Sequence, residues 1–305
     1  MAVIGKFTNT AVSKQLFNHN YRLNSTYGNS DIDLSKTHLN YSLTPYLETR
    51  SHANKSDRQE MARLEKKRYE QRKSECFCLN RADVKTWAGC IVTAPAELHG
   101  NKEKQDLFFK TVANFLIDRY GEKNTISIVI HFDEMSERRI TDANGNVIVR
   151  KELGEPHLHF CWVPTTKIDH EALKKKKRPV KEMFDYNEKI SAKEVLTKKE
   201  LQSFHPDLQA YLDDNLPFPV AVATGKTARQ GGNRTVAQLK RETEREFSAL
   251  QSYVKELEQE NQRLQERVKQ LEAERDITKS KEDSWGRSSD WGSGAWEHEE
   301  ERVRW

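Results

Sequence analysis

NTISIVIHFDE at residues 124–134 and EPHLHFCWV at residues 155–163 are the two halves of one stretch, Asn124 to Val163, joined by a polar insert. In the first half Ile126, Ile128 and Ile130 alternate with Ser127, Val129 and His131, the period of two of a strand with distinct faces. The second half alternates as well, with Leu158, Phe160 and Trp162 on one face and His157, His159, Cys161 and Val163 on the other. If the two strands are neighbours, His131, His157 and His159 converge on one face of a sheet, with Asp133 and Glu134 beside them. Three imidazoles and adjacent carboxylates on rigid strands compose a site for one divalent metal ion.

The insert, Met135 to Glu155, carries Asn144-Gly145 between Arg138–Thr141 and Val147–Arg150. Asn-Gly between short β-prone runs predicts a hairpin, because both central residues of a type I′ turn need positive φ. A hairpin here returns Glu134 to the neighbourhood of Pro156. Further upstream, Trp87 to Ala94 reads as a strand. Asp106 to Tyr120 reads as a helix with Phe108, Val112, Phe115 and Leu116 on one side, and Gly121 stands where a C-terminal stop is expected. A strand, helix, strand order packs the helix on one sheet face and leaves the other to the histidines.

With 305 residues and a hydrophobic fraction of 35%, the chain sustains one ordinary core, and a charged fraction of 32% predicts that part of it is extended or solvated. No apolar run reaches the length of a membrane span, and MAVIGKFTNTAVSK lacks the apolar centre of a signal peptide. Cys76, Cys78, Cys90 and Cys161 are too few and too irregular for a disulfide framework or a four-cysteine zinc site, which suits a reduced cytoplasmic protein. The net charge of +4 is uneven: residues 281–305 hold seven acidic and four basic residues, so the rest of the chain is more basic than the total suggests. That balance favours a polyanion as partner. The densest basic run is Lys174, Lys175, Lys176, Lys177 and Arg178, which reads equally as a solvated loop or as a phosphate contact.

Residues 10–45 interleave polar and aromatic side chains, among them His19, Asn20, Tyr21, Arg22, Asn29, Asp31, Asp33, His38, Asn40 and Tyr41. A segment so rich in donors predicts the wall of a groove or active site.

At this point the motifs carry a resemblance. HNYR at 19–22, N-x-DID at 29–33, HLNY at 38–41, the H-x-D-E…P-H-x-H set, ISAKEVLTKKELQSFHPDL at 190–208 and TVAQLK at 235–240 resemble the Mob/Pre plasmid mobilisation and recombination proteins, the MobV class of relaxases. The resemblance runs through about residue 240 and departs at the insert, where the family passes almost directly from the acids into the P-H-x-H strand. It implies an α+β fold of the HUH type, an antiparallel sheet of about five strands with helices on one face. It further implies a bacterial, cytoplasmic enzyme that nicks one strand of plasmid DNA at an origin of transfer, holds the 5′ phosphate covalently and later rejoins it.

The same resemblance assigns roles. His131, His157 and His159, with Glu134, hold manganese or magnesium, although three imidazoles by themselves suit zinc equally. His19 is the implied nucleophile and Tyr41 the alternative; a neutral imidazole is already nucleophilic near neutral pH, whereas a phenol must first lose a proton. Arg22 serves as a phosphate clamp, or else pairs with Asp31 or Asp33. Asp133 orients a ligand histidine, or exchanges that role with Glu134. Asn20, Arg22, Asn29, Asn40 and the basic run at 174–178 are the expected DNA contacts. A rolling-circle replication initiator or a transposase of the same superfamily would lean on Tyr41, and a nonenzymatic DNA-binding dimer would use none of the catalytic set. Gly225-Lys226-Thr227 mimics the end of a phosphate-binding loop, but Val220 stands where that motif needs glycine.

Residues 1–232 are thus the expected relaxase domain, 233–246 a connecting helix, and 247–274 a coiled coil. Phe247, Val254, Asn261 and Val268 take heptad position a, and Leu250, Leu257, Leu264 and Leu271 take position d. Branched residues at a with leucine at d favour a parallel homodimer, and one Asn at a fixes its register; a single amphipathic helix folding back on the core is the other reading. Residues 275–305 hold four of the six Trp among Gly and Ser. They read as a flexible tail, either a docking peptide for a mobilisation or coupling partner or an indifferent extension.

Overall fold

The computed structural model describes residues 2–7, 10–48, 50–141, 147–222 and 236–286, and the chain divides into two compact units, 1–227 and 228–305. In chain order the first unit contains β1 (Ala2–Phe7), α1 (Thr10–Asn20), β2 (Tyr41–Ser42), α2 (Lys55–Ser74), β3 (Trp87–Thr93), α3 (Lys102–Tyr120) and β4 (Thr125–His131). It continues with β5 (Met135–Thr141), β6 (Val147–Leu153), β7 (His157–Trp162), β8 (Thr165–Lys167), α4 (His170–Lys174), β9 (Glu188–Ile190), α5 (Ala192–Val195) and α6 (Lys198–Asn215). The second unit contains α7 (Val236–Gly286).

A five-stranded sheet in the order β1-β3-β7-β4-β2 is antiparallel at every pairing. One face is apolar along its length. Ala88, Cys90 and Val92 of β3, Ile128 and Ile130 of β4, and Leu158, Phe160 and Trp162 of β7 are buried there against α3 and α6. From α3 come Phe108, Phe109, Val112, Phe115 and Leu116, and from α6 Phe204, Leu208 and Leu212, each set at the three-to-four-residue spacing that keeps a helix stripe on one side. α3 begins at Lys102 rather than Asp106, because Asn101 caps it by accepting the Lys104 amide at 3.0 Å. It stops at Gly121 as expected, where φ is +89°.

The second face is not left bare, contrary to the expectation of helices on one side only. Phe17 and Tyr21 of α1 and its exit, and Met61, Ala62 and Tyr69 of α2, cover Trp87, Ile126, Val129 and Cys161. The reason lies in the strands: towards Cys161 and Val163 this face is too apolar to meet water, and only its other end, at the histidines, is polar. β4 also departs from strict alternation. Its register against β7 shifts between Thr125 and Ser127, so Ile126 falls in the second-face cluster, away from Ile128 and Ile130.

The insert is a hairpin: β5 and β6 pair from Met135–Leu153 to Thr141–Val147 as a separate two-stranded ribbon. Its expected turn, Asn144-Gly145, lies outside the described residues. α7 is 51 residues long and free of Gly and Pro before Gly286. It therefore runs past 274, and the change of character expected at 275 does not interrupt it, since the residues from Arg275 to Asp283 are compatible with helix throughout. Leu250, Val254, Leu257, Leu264, Val268 and Leu271 are all exposed along this helix.

Under the second face, Glu65 of α2 is wholly buried; Tyr21 Oη donates to its Oε1 at 2.5 Å and Thr44 Oγ1 at 2.9 Å. Burial pushes its carboxyl from 4.5 up to about 8 against the pull of these donors. The folded chain thus keeps a proton that the unfolded chain releases above 4.5, and stability present below that pH is lost as pH rises through about 8. The urea midpoint of the wild-type protein is expected to fall across this window relative to Glu65→Gln, whose amide does not titrate. Parallel profiles would mean that Glu65 is ionised throughout.

Candidate active site

Five segments meet at the polar end of the second face, and the end of α1 is the least ordinary. Leu23 N donates to Asn18 O at 3.0 Å and Arg22 N to His19 O at 3.3 Å, the paired bonds of a Schellman cap, whose left-handed position usually holds glycine. Here that position is Arg22, with φ of +48°. A non-glycine residue in this region is strained by roughly 1 kcal/mol or more, so its side chain must recover that cost elsewhere. The guanidinium turns back to the junction of β4 and β5, where Nε donates to Asp133 Oδ2 at 2.9 Å and Nη2 to Asp133 Oδ1 at 2.8 Å. Nη2 also donates to Glu134 Oε1 at 2.9 Å and Nη1 to His19 O at 2.9 Å. Both side chains of the Arg22–Asp133 pair are fully buried.

The histidines come from sheet register. His131 of β4 stands opposite His157 of β7, and His159 stands opposite Val129, so all three lie on one face. Ring centroids are 5.4 Å apart for His131–His157, 4.7 Å for His131–His159 and 4.9 Å for His157–His159. His19 reaches the same cluster from α1, 5.3 Å from the His131 ring and 5.2 Å from that of His159. Glu134 Oε1 lies 3.7 Å from His157 Nε2 and 3.9 Å from His19 Nε2.

Burial sets the charge state. It lowers the pKa of His131 and of His159 well below the usual imidazole range, with Arg22 adding to the effect at His131 and His157 at His159. His19 is lowered to about 4, by burial first and by Arg22 second, against the opposing pull of Glu134. These imidazoles are therefore neutral at physiological pH. His131 Nε2 meets the Asn20 carbonyl at 2.9 Å, a donor's geometry that leaves Nδ1 as the lone-pair nitrogen, and that Nδ1 is buried without a partner. His159 Nε2 is likewise buried and unpartnered. Neutral lone pairs orphaned side by side fit a divalent cation. Two overlapping donor sets place their atoms within 4.8 Å of one another: His19, His131 and His159, and His131, Glu134 and His157.

Of the residues expected from sequence, His19, Arg22, Asp133, Glu134, His131, His157 and His159 are brought together. Asn29 joins them, its Nδ2 3.4 Å from Glu134 Oε2. Others are corrected. Arg22 is no free phosphate clamp, and its partners are Asp133 and Glu134 rather than Asp31 or Asp33. Asp133 orients no histidine, because Arg22 and Thr37 Oγ1, at 3.2 Å, take its oxygens. Asn20, expected as a DNA contact, is buried and donates to Ser127 Oγ at 3.3 Å, and Asn40, likewise expected, is buried and accepts from Phe132 N at 2.7 Å. Tyr41 pairs with Ile130, on the α3 side of the sheet, stacks on Phe132 and donates to Asp106 Oδ1 at 2.6 Å. Its hydroxyl faces away from the histidines, and burial, then Asp106, raises its pKa. The run from Lys174 to Arg178 is exposed at the end of α4, beside a small cluster of Ile168, Leu173 and Met183. Sequence reading missed Thr37 and the Asn20 carbonyl; a main-chain acceptor leaves no mark in a sequence.

Residues 1–241 match the Mob_Pre family model, described as plasmid recombination enzyme. A plasmid recombination enzyme of Streptococcus agalactiae is 27% identical over 230 residues, covering 74% of this chain and 35% of that protein. One of Lactiplantibacillus plantarum is 24% identical over 200 residues, covering 65% and 42%. The match thus spans well under half the length of these relatives. Among solved structures, the MobM relaxase domain (MOBV; Mob_Pre) bound to plasmid pMV158 oriT DNA, manganese-bound at pH 6.8, aligns with a TM-score of 0.52 at 22% identity, covering 79% of this chain and 97% of that one. A manganese-bound structure of the same domain at pH 4.6 aligns with a TM-score of 0.50 at 24% identity, covering 79% and 98%. These likenesses establish the fold.

Removing one partner of a buried ion pair leaves an uncompensated charge. Arg22→Ala is therefore expected to destabilise the first unit by about 3–5 kcal/mol in chemical denaturation, with Arg22→Lys recovering only part, since an ammonium cannot span both Asp133 oxygens. A change within about 0.5 kcal/mol would show that the pair is not what holds α1 to the sheet.

Proposed function

The chain belongs to the family of plasmid recombination enzymes, and on that premise we propose that residues 1–232 form a relaxase that nicks one strand of plasmid DNA at an origin of transfer and rejoins it. The observation that carries this reading is a neutral, part-exposed His19 imidazole packed against buried histidines whose lone pairs have no partner. His131, His157 and His159, with Glu134 at the rim, would hold one divalent ion, manganese or magnesium. Such an ion offsets charge on a nonbridging phosphate oxygen, which otherwise repels a nucleophile.

The protein's own groups do the rest. Burial and the neighbouring Arg22 keep the His19 lone pair free of a proton, so no base is needed to activate it. That lone pair attacks phosphorus, an N–P bond forms, and the 3′ oxygen leaves with the electron pair of its bond to phosphorus and takes a proton from water. The phosphoramidate keeps the strand's 5′ end on His19. In the return step the 3′ hydroxyl attacks phosphorus, loses its proton to water, and His19 departs with the N–P electron pair. No external energy source is required. Arg22 holds the His19 carbonyl and both acids, which makes it a positioning residue. Tyr41 is set on the opposite sheet face, which disfavours a tyrosine initiator or transposase reading. Asn29 and the Lys174–Arg178 run remain candidates for DNA contact.

The exposed Leu and Val stripe of α7 supports a parallel homodimer through 247–274, in which Asn261 meets its own copy. The Trp-containing segment after it is a candidate docking peptide for a mobilisation or coupling partner. Among the described residues no helix is long and apolar enough to cross a membrane, which is compatible with work in the bacterial cytoplasm.

Two experiments test these readings. Incubating the protein and a supercoiled plasmid bearing its origin with manganese or EDTA, then mapping protein-bound nucleotide by mass spectrometry, is expected to give a metal-dependent adduct on His19. Tyr41→Phe should retain the adduct and His19→Ala lose it while still binding manganese; an adduct on Tyr41 would sink the histidine mechanism. In sedimentation, the full chain is expected to be a dimer and a truncation ending at Gly232 a monomer. A dimeric truncation would move the interface out of α7.

A further inference from the structure

α1 ends on His19 and Asn20, and the chain that leaves it turns back against the helix at once. The Tyr27 hydroxyl donates to Asn18 O at 2.8 Å and accepts from the Asn24 amide at 3.0 Å, while Asn18 Nδ2 donates to Asn24 Oδ1 at 3.0 Å. Asn18 O also accepts the Leu23 amide of the helix cap, so one carbonyl joins the cap to the loop of residues 23–28. With its hydroxyl fixed at two points, the half-buried Tyr27 ring is laid against the last turn of the helix. Its centroid stands 6.4 Å from that of the His19 ring, with the planes 80° apart. The Arg22 guanidinium carbon lies 5.8 Å from its centre. Edge-to-face packing of this kind is a preferred arrangement of two aromatic rings.

What the contact does follows from how His19 is otherwise held. Arg22 Nη1 donates to the His19 carbonyl at 2.9 Å, which fixes the backbone. The same nitrogen lies 3.2 Å from Nδ1 and 3.3 Å from Nε2 of the imidazole, so it singles out neither. Glu134 Oε1, at 3.9 Å, is beyond hydrogen-bond distance. The torsion that turns a histidine ring about its own stem is broad and roughly two-fold, so the direction of the lone pairs is left to packing. His131 and His159 meet the ring from the sheet, at 5.3 and 5.2 Å, and Tyr27 meets it from the loop. Two of these three rings belong to the expected metal site. Tyr27 has its hydroxyl engaged with the main chain, which leaves its ring as its contribution to the site. That contribution matters because attack on phosphorus needs an aligned lone pair, and a misplacement of about 1 Å can cost on the order of 100-fold in rate.

We propose that Tyr27 is a positioning residue for the nucleophile: its ring fixes the rotation of the His19 imidazole, and its hydroxyl anchors that ring to the end of α1. The inference rests on the relaxase reading, in which His19 attacks phosphorus. Tyr27 itself makes and breaks no bond in the reaction.

The test follows adduct formation by the full chain on a single-stranded oligonucleotide spanning the nick site, in excess manganese, as a maximal rate and a half-saturating DNA concentration. In Tyr27→Leu, which fills the space without a flat ring, the maximal rate is expected to fall about 100-fold at an unchanged half-saturating concentration. Tyr27→Phe keeps the ring and should recover most of that loss. Manganese binding by calorimetry should be equal in all three proteins, and its loss in Tyr27→Leu would mean a disturbed histidine cluster and overturn the proposal. A raised half-saturating concentration at an unchanged maximal rate would make Tyr27 a DNA contact instead. That outcome, or a leucine variant as fast as wild type, would overturn the proposal and leave the relaxase reading intact. An adduct recovered on Tyr27 would overturn it together with the histidine mechanism, and a wild-type protein that forms no adduct would remove the relaxase reading on which it rests.

Discussion

The buried bidentate pair between Arg22 and Asp133 is the interaction on which the site depends. Two full charges removed from water are costly, and their mutual attraction compensates only when the geometry is close to ideal and the remaining hydrogen-bonding capacity is filled. Both conditions hold: two parallel bonds of 2.8 and 2.9 Å join them, while Thr37, Glu134 and the His19 carbonyl take up spare donors and acceptors. An apolar pair of similar volume would hold a helix to a sheet about as firmly. What the ion pair adds is registration, because it tolerates only one placement of the α1 terminus against the end of β4. His19 and the Asn20 carbonyl belong to that terminus, so the candidate nucleophile and the acceptor that orients His131 are set by a single contact.

The sheet supplies the other half of the placement. Its first face is apolar along its length and locked by α3 and α6, whereas its second changes from apolar to polar along the strands. α1 and α2 cover the apolar portion and stop at the histidines. Burial there has two consequences. It keeps His131 and His159 neutral, which removes proton competition for their lone pairs, and it leaves His131 Nδ1 and His159 Nε2 with nothing to bind. Each orphaned buried polar atom costs on the order of 1–3 kcal/mol. A divalent ion held between these two nitrogens would offset both costs at once.

Much of this was legible in the sequence, for identifiable reasons. The alternation from His157 to Val163 is legible because a strand's faces follow from parity alone, and parity also puts His131 on the same side. The hairpin was legible from its turn residues and the stop of α3 from Gly121. Alternation groups Ile126 with Ile128 and Ile130, whereas the structure puts it on the other face, because a bulge adds a residue to one strand without changing its composition. β2 is two residues long and offers no alternation, so the side on which Tyr41 lies follows only from its pairing with Ile130. The polar stretch from 10 to 45 was read as a groove wall, yet Asn20, Arg22, Thr37, Asn40, Ser42 and Thr44 are buried. Polar residues enter a core when distant partners satisfy them, and Ser127, Phe132 and Asp133 lie 107, 92 and 111 positions from Asn20, Asn40 and Arg22, to which they bond.

Position on a helix would ordinarily argue for a protonated His19. It occupies the last turn of α1, where the helix dipole favours a cation by up to about 2 kcal/mol in partly buried geometries, and Glu134 adds to that pull. Two opposing influences win. Burial withdraws the ring from water, and Arg22, obliged by Asp133 to lie against His19, places a permanent positive charge 3.2 Å from one ring nitrogen. The residue that registers the helix thus also adds to the burial that denies His19 its proton. This accounts for the left-handed backbone at Arg22: glycine would relieve the torsional strain of the cap, but only a guanidinium can cap the helix, neutralise Asp133 and help keep the neighbouring imidazole neutral from the same position.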